Sequence, residues 1–231
     1  GLTGSFTAHP HRCPATGEYH AICYDGPTQD TIRHVAMANA GTVLRETDIA
    51  VRNGPSIHDC ALTENHVVIL DLPVTFSMQA LIAGHKFPYR WNRNHRARVG
   101  LLPRDGSSSE PVWHAVDPCY VFHVGNSFEE SDGRVTIDLC AYETIFDGDM
   151  AGPYGKALGL ERWTLDGKGG KVVRETIDGA GQEFPRPDER YFTKDYRYLW
   201  TMGLPDDGDL EFVHLAGDDG GDFLFVRKAP S

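Results

Sequence analysis

Apolar residues fall in short bursts along the chain, and few of the bursts have helical spacing. The run Val67–Leu72, broken only by Asp71, stops at Pro73 and predicts a strand buried on both faces. Val135, Ile137 and Leu139 alternate with Thr136, Asp138 and Cys140, which predicts a half-buried strand within 134–142. Further strands are expected at 19–24, 42–51, 98–102, 112–116, 120–124, 160–165, 171–177, 196–201, 210–214 and 222–226. Asp-Gly or Asn-Gly pairs begin at Asp25, Asn53, Asp105, Asp132, Asp147, Asp166, Asp178, Asp207 and Asp219. They supply the positive φ values that tight turns require. One two-turn helix is expected over 77–83, ended by Gly84.

The pattern is therefore all-β: a sandwich, a barrel or a propeller. No repeat of fixed sequence and no low-complexity linker divides residues 1–231, so a single domain is expected. The composition is that of an ordinary globular protein, with 40% hydrophobic and 24% charged residues. A net charge of −11 argues against a nucleic-acid partner, and the basic residues between Arg90 and Arg98 read as a solvated face. Five cysteines without a C-x-x-C pair suit a reducing compartment, so a cytoplasmic location is expected. No stretch approaches the ~20 apolar residues of a transmembrane helix. The start Gly1-Leu2-Thr3-Gly4 reads as a cut end.

Histidine placement adds chemistry. His58 stands in Ile57-His58-Asp59, read as the end of a short strand, with Thr63-Glu64-Asn65 turning into the apolar run. Alone, it reads as a core histidine with satisfied ring nitrogens. His9 precedes the strand 19–24, and His123 lies in the strand 120–124. These three are 49 and 65 positions apart, too far for one helix or knuckle. Inner strands of a propeller all face one axis, so ligands ~50 residues apart meet there, one per blade. His11, two after His9, points the other way on an extended chain. His20, His34, His66, His85, His95 and His114 read as core or surface residues.

Several stretches together resemble the carotenoid cleavage oxygenase family. They are TAHPH with the later TGE, IHDCALTENHVVILDLP, FPYRWNRNHRARVGLLPR, WHAVDPCYVFHVGNSFEE, VTIDLCAYE, and EFPRPDER with DYRYLW. They occur in the family's order from Thr7 to about Trp200. The resemblance implies a seven-bladed β-propeller with Fe(2+) on its axis. It places His9, His58 and His123 on three of four iron-binding histidines, and Glu183 on a glutamate that hydrogen-bonds a ligand ring. Glu129 and Glu130 match the pattern too and read as supports for the loop after the strand 120–124.

The fourth histidine and two of three such glutamates have no match. His214 is the one histidine after His123, but EFVHLAGDDGG does not resemble the fourth-histidine motif. At ~50 residues per blade, part of a propeller is expected, four or five blades of seven. Such a chain alone is expected to aggregate or to hold iron poorly, because of open sheet edges and the missing ligand.

The implied function is an Fe(2+)-dependent dioxygenase that splits a carbon–carbon double bond of a conjugated apolar substrate (carotenoid, apocarotenoid or stilbene) into two carbonyls. Its partners are then that small molecule and dioxygen, with any peripheral membrane contact through parts outside this chain. Phe76, Phe87, Tyr89 and Trp91 are candidates for substrate space, with core packing the stronger reading for each. The alternatives are a catalytically inactive propeller segment acting as a scaffold, and a metal-dependent hydrolase, which would favour carboxylate ligands over imidazoles.

Overall fold

A computed structural model describes residues 2, 4–26, 28–147 and 155–204, and the backbone alone of 215–216, 222–223 and 225–228. Strands β1 (His11–Arg12), β2 (Tyr19–Cys23), β3 (Thr31–Met37) and β4 (Val43–Ala50) form an antiparallel sheet in chain order. A second sheet takes β5 (Cys60–Leu62), β6 (His66–Asp71), β9 (Arg98–Pro103) and β10 (Val112–Ala115). Between β6 and β9 lies a hairpin of β7 (Val74–Phe76) and β8 (Tyr89–Trp91), with helix α1 (Met78–Ile82) at its tip. The helix begins because the Ser77 side chain accepts the Ala80 N–H. It stops where Gly84 adopts a φ of 84°.

The third sheet is β11 (Tyr120–Glu129), β12 (Val135–Tyr142), β13 (Ala157–Leu165) and β15 (Val173–Asp178). The short β14 (Gly170–Lys171) leaves it to run parallel to β10 in the second sheet. The fourth sheet pairs β16 (Gln182–Pro187) with β17 (Tyr198–Gly203), and β20 (Phe225–Lys228) lies on its far side. A separate pair joins β18 (Leu215–Ala216) and β19 (Asp222–Phe223). The expected strand 210–214 lies outside the described residues.

All four principal sheets share one arrangement. Strands β1, β5, β11 and β16 are each an edge strand of their sheet, and they lie side by side in that order. Apolar side chains fill the wedges between neighbouring sheets. Ile22, Ile49, Leu62, Ile69 and Leu102 pack between sheets one and two, while Val68, Leu101, Ile137, Leu139 and Trp163 pack between sheets two and three. Phe128, Cys140, Leu160, Tyr196 and Leu199 fill the wedge between three and four. Fully burying each such side chain contributes about 1.5–3 kcal/mol.

Sheet three is covered on both faces, and this corrects one expectation. All eight residues of β12 are buried, not the alternate four. Its polar positions are paired instead of solvated: Arg162 clasps Asp138 through Nε (2.8 Å) and Nη2 (2.7 Å), and the Tyr196 hydroxyl donates to Asp138. Asp71, the polar residue in the apolar run, is likewise held by Arg98 (2.7 Å) and His95 (2.8 Å). Strand β11 continues through Gly125–Glu129, where a loop is expected. His58 lies two residues before β5, outside any strand, where the end of a strand is expected. All five cysteines are free and buried. Among the described residues no helix is long and apolar enough to cross a membrane.

Candidate metal centre

His9 lies just before β1, His58 just before β5, and His123 inside β11, so the three come from the inner margins of three sheets. Their rings meet. Centroids are 4.6 Å apart for His9–His58, 5.0 Å for His9–His123 and 5.1 Å for His58–His123. One nitrogen from each ring lies within 4.8 Å of the others, close enough to share a metal ion. The aim of His123 has a local cause. Val121 faces Ala141 and Val124 faces Leu139, so Phe122 and His123 together oppose only Cys140. This bulge turns the imidazole off the regular pleat.

Strand β16 holds the matching device. Glu183 faces Met202 and Arg186 faces Trp200, leaving Phe184 and Pro185 opposite Thr201 alone. Phe184 carries a φ of 53°, rare for a bulky residue. Glu183 is thereby turned inward, and its Oε2 lies 2.8 Å from His123 Nδ1. An Nδ1–H donated to that carboxylate leaves Nε2 as a lone-pair donor toward the centre. Glu183 Oε1 is buried with no hydrogen-bond partner among the described residues, and burial and then the Glu183 carboxylate raise the pKa of Tyr142.

Burial favours the neutral form of His9 and His58. Desolvation lowers the pKa of His9, and it takes His58 down to about 4 with help from the other two rings. Neutral imidazoles are good ligands for iron, zinc, copper and nickel. The residues present therefore fit a divalent transition metal: three nitrogen donors, one of them oriented by a carboxylate.

A cavity of about 350 Å³ adjoins the cluster, lined by Phe6, Thr7, His9, Tyr24, His58 and Tyr89 among others. Of the four aromatic candidates Tyr89 reaches this space, whereas Phe76 and Trp91 pack against the core and Phe87 packs at a tilt against Tyr89 and Phe146. Phe122 and Phe184 were not singled out by sequence, yet they pack on His58 (5.2 Å) and His123 (4.8 Å). Phe122 directly precedes His123 and Phe184 directly follows Glu183, and that adjacency is the signal that could have found them.

Glu129 lies away from the cluster. It accepts from Thr63 Oγ1 (2.5 Å), Asn65 N (2.9 Å) and Asn65 Nδ2 (2.7 Å), tying β11 to the β5–β6 turn. Glu130 accepts from Thr136 (3.0 Å). His11 turns away from the cluster to pair with Asp59 at 2.6 Å. His214 lies outside the described residues.

The family model RPE65, retinal pigment epithelial membrane protein, matches residues 1–218. The chain belongs to this family, that of the carotenoid cleavage oxygenases. A carotenoid cleavage oxygenase of Mycobacterium tuberculosis is 34% identical over 245 residues, covering 88% of this chain and 49% of that protein. Resveratrol cleavage oxygenase 1 of Chaetomium globosum is 28% identical over 260 residues, covering 96% of this chain and 43% of its own. Among solved structures, Pseudomonas brassicacearum lignostilbene dioxygenase superposes with a TM-score of 0.74 at 24% identity, over 87% of this chain and 44% of that one. The chain thus spans about half the length of the curated relatives it matches.

Proposed function

We propose that the protein is an Fe(2+)-dependent dioxygenase that cleaves a carbon–carbon double bond of a conjugated apolar substrate, each carbon leaving as a carbonyl. The observation that carries this reading is the convergence of three imidazoles, one held by Glu183, beside a cavity lined in part by Phe6, Tyr24 and Tyr89. Ferrous iron, when bound, would supply the redox chemistry that dioxygen needs, and both oxygen atoms end in the two carbonyl products. His9, His58 and His123 would hold it.

Glu183 would fix the tautomer and tilt of His123, so that Nε2 faces the metal in advance. Phe6, Tyr24 and Tyr89 would hold the substrate's flat conjugated chain against the cluster and keep water away. We read the four principal sheets as consecutive blades of a seven-bladed propeller, of which this chain spans a part. A fourth imidazole is then expected from outside the described residues.

Anaerobic titration with Fe(2+), followed by oxygen uptake with a stilbene or an apocarotenal, tests the reading. For the protein extended to the relatives' full length, one iron per chain and oxygen consumed in step with aldehyde formation are expected. Tight iron binding with neither substrate consumed would overturn the cleavage assignment, and no binding would overturn the metal centre.

A further inference from the structure

We propose that Asp59 is the positioning residue that sets the three imidazoles relative to one another. Asp59 is only 5% exposed, and a buried carboxylate is tolerated only when its oxygens are paired. Its pairs are unusual in where they come from. Oδ1 lies 2.6 Å from His11 Nε2 and accepts the Cys60 N–H at 2.7 Å. Oδ2 accepts the Val124 N–H at 2.9 Å.

Each contact falls beside a cluster residue. His11 is two positions past His9, Asp59 itself follows His58, and Val124 follows His123. One carboxylate thus ties together the three segments that carry the rings. Val124 is also the residue that closes the bulge presenting His123, and its amide goes to Asp59. A bulge relaxes if its freed N–H is unpaired, so Asp59 holds the irregularity that aims the ring. On the other side, the His11 ring stacks on Phe192 at 5.3 Å and 15°, which anchors the clamp to the loop between β16 and β17.

A metal site of its own is the competing reading, because His11, Asp59 and Cys60 also bring donor atoms within 4.8 Å of one another. Both oxygens of Asp59 are already engaged by N–H groups and the His11 ring, which favours the clamp. The functional part of the inference rests on the iron reading above; the placement of the rings does not.

The test uses Asp59→Asn and His11→Phe, the second keeping the stack on Phe192 while removing the donor. Co(2+) is titrated into metal-free protein and followed by its visible absorption, with thermal melting of the metal-free forms as the folding control. Both folded variants are expected to bind cobalt 10–100-fold more weakly than the parent, with a shifted visible band, as is typical when partners of ligating residues are lost. Parent-like affinity and spectrum in a folded variant would overturn the role of Asp59.

A crystal structure of metal-free Asp59→Asn, or of His11→Phe should the first not fold, decides the point independently of metal. Rings that drift apart support the clamp, and ring nitrogens still within 4.8 Å of one another overturn it. A parent protein that takes up no cobalt would defeat the iron reading alone, and the metal-free structure would still decide the clamp.

Discussion

Glu183 Oε2 lies 2.8 Å from His123 Nδ1 and also accepts the Phe184 N–H at 2.9 Å, so a single oxygen serves the ring and the bulge that delivers it. Replacing Glu183 with Gln keeps the shape but substitutes a neutral amide for the carboxylate. The expected result is a folded protein that loses metal to a chelator 10–100-fold more readily. Iron content after dialysis checks it, and unchanged retention would count against the orienting role.

Glu129 offers the complementary case. Its carboxylate is fully engaged by Thr63, Asn65 and His66, away from the cluster. Glu129→Ala is expected to cost about 2–3 kcal/mol in urea denaturation, the scale of hydrogen bonds to a charged group. Its metal affinity should match the parent's. A large loss of metal with little loss of stability would move Glu129 into the site.

The Asp138–Arg162 pair tests the covered face of β12. Asp138 is fully buried, so Asp138→Ala strands a guanidinium whose side chain is only 18% exposed. A loss of about 3–5 kcal/mol is expected. Adding Arg162→Leu should recover part of it, because the stranded charge is then gone. Chemical denaturation of both variants measures the difference.

Acid should weaken the first sheet. His20 Nδ1 and His34 Nε2 are 3.0 Å apart, and both rings are buried. Desolvation, then the nearby Arg104, lowers His20 to about 4; desolvation and His20 lower His34 to about 3. In the unfolded chain each takes up a proton below about pH 6.5, while the folded protein resists it. Stability is therefore complete above that pH and falls as the pH drops from about 6.5 toward 4. Each unit of depression is worth about 1.36 kcal/mol, so the loss reaches several kcal/mol. Metal-free protein should show it in melting curves, and His34→Gln should flatten the slope; an unchanged slope would show that this pair does not titrate on unfolding.

Much of the fold was legible because apolar runs bounded by turn residues become strands, as 66–71 and 98–103 did. What escaped was strand whose polar groups find partners far away in sequence. Asn126 and Ser127 read as a loop, yet Asn126 Nδ2 donates to the Tyr191 and Lys194 carbonyls, and Ser127 Oγ donates to the Leu62 carbonyl. Strand β3 was missed because His34 reads as polar until His20 is set beside it. Strand β16 was hidden by Pro185 and Pro187, which an edge strand tolerates. At the site, the residues alone left His58 as a core histidine. The family resemblance singled out His9, His58, His123 and Glu183, but Asp59 depends on a bulge that no local pattern announces.

That dependence has a kinetic consequence. The contacts that define the cluster close long stretches of chain: 48 residues for His11–Asp59, 65 for Val124–Asp59 and 60 for His123–Glu183. The strand pairings within each sheet are mostly between neighbours in sequence, so they can form before these closures. Folding should therefore pass through a stage with the sheets largely built and the imidazoles still apart. Metal competence is the last property the chain acquires, and a refolding protein should regain its β signal before it regains the ability to hold a metal.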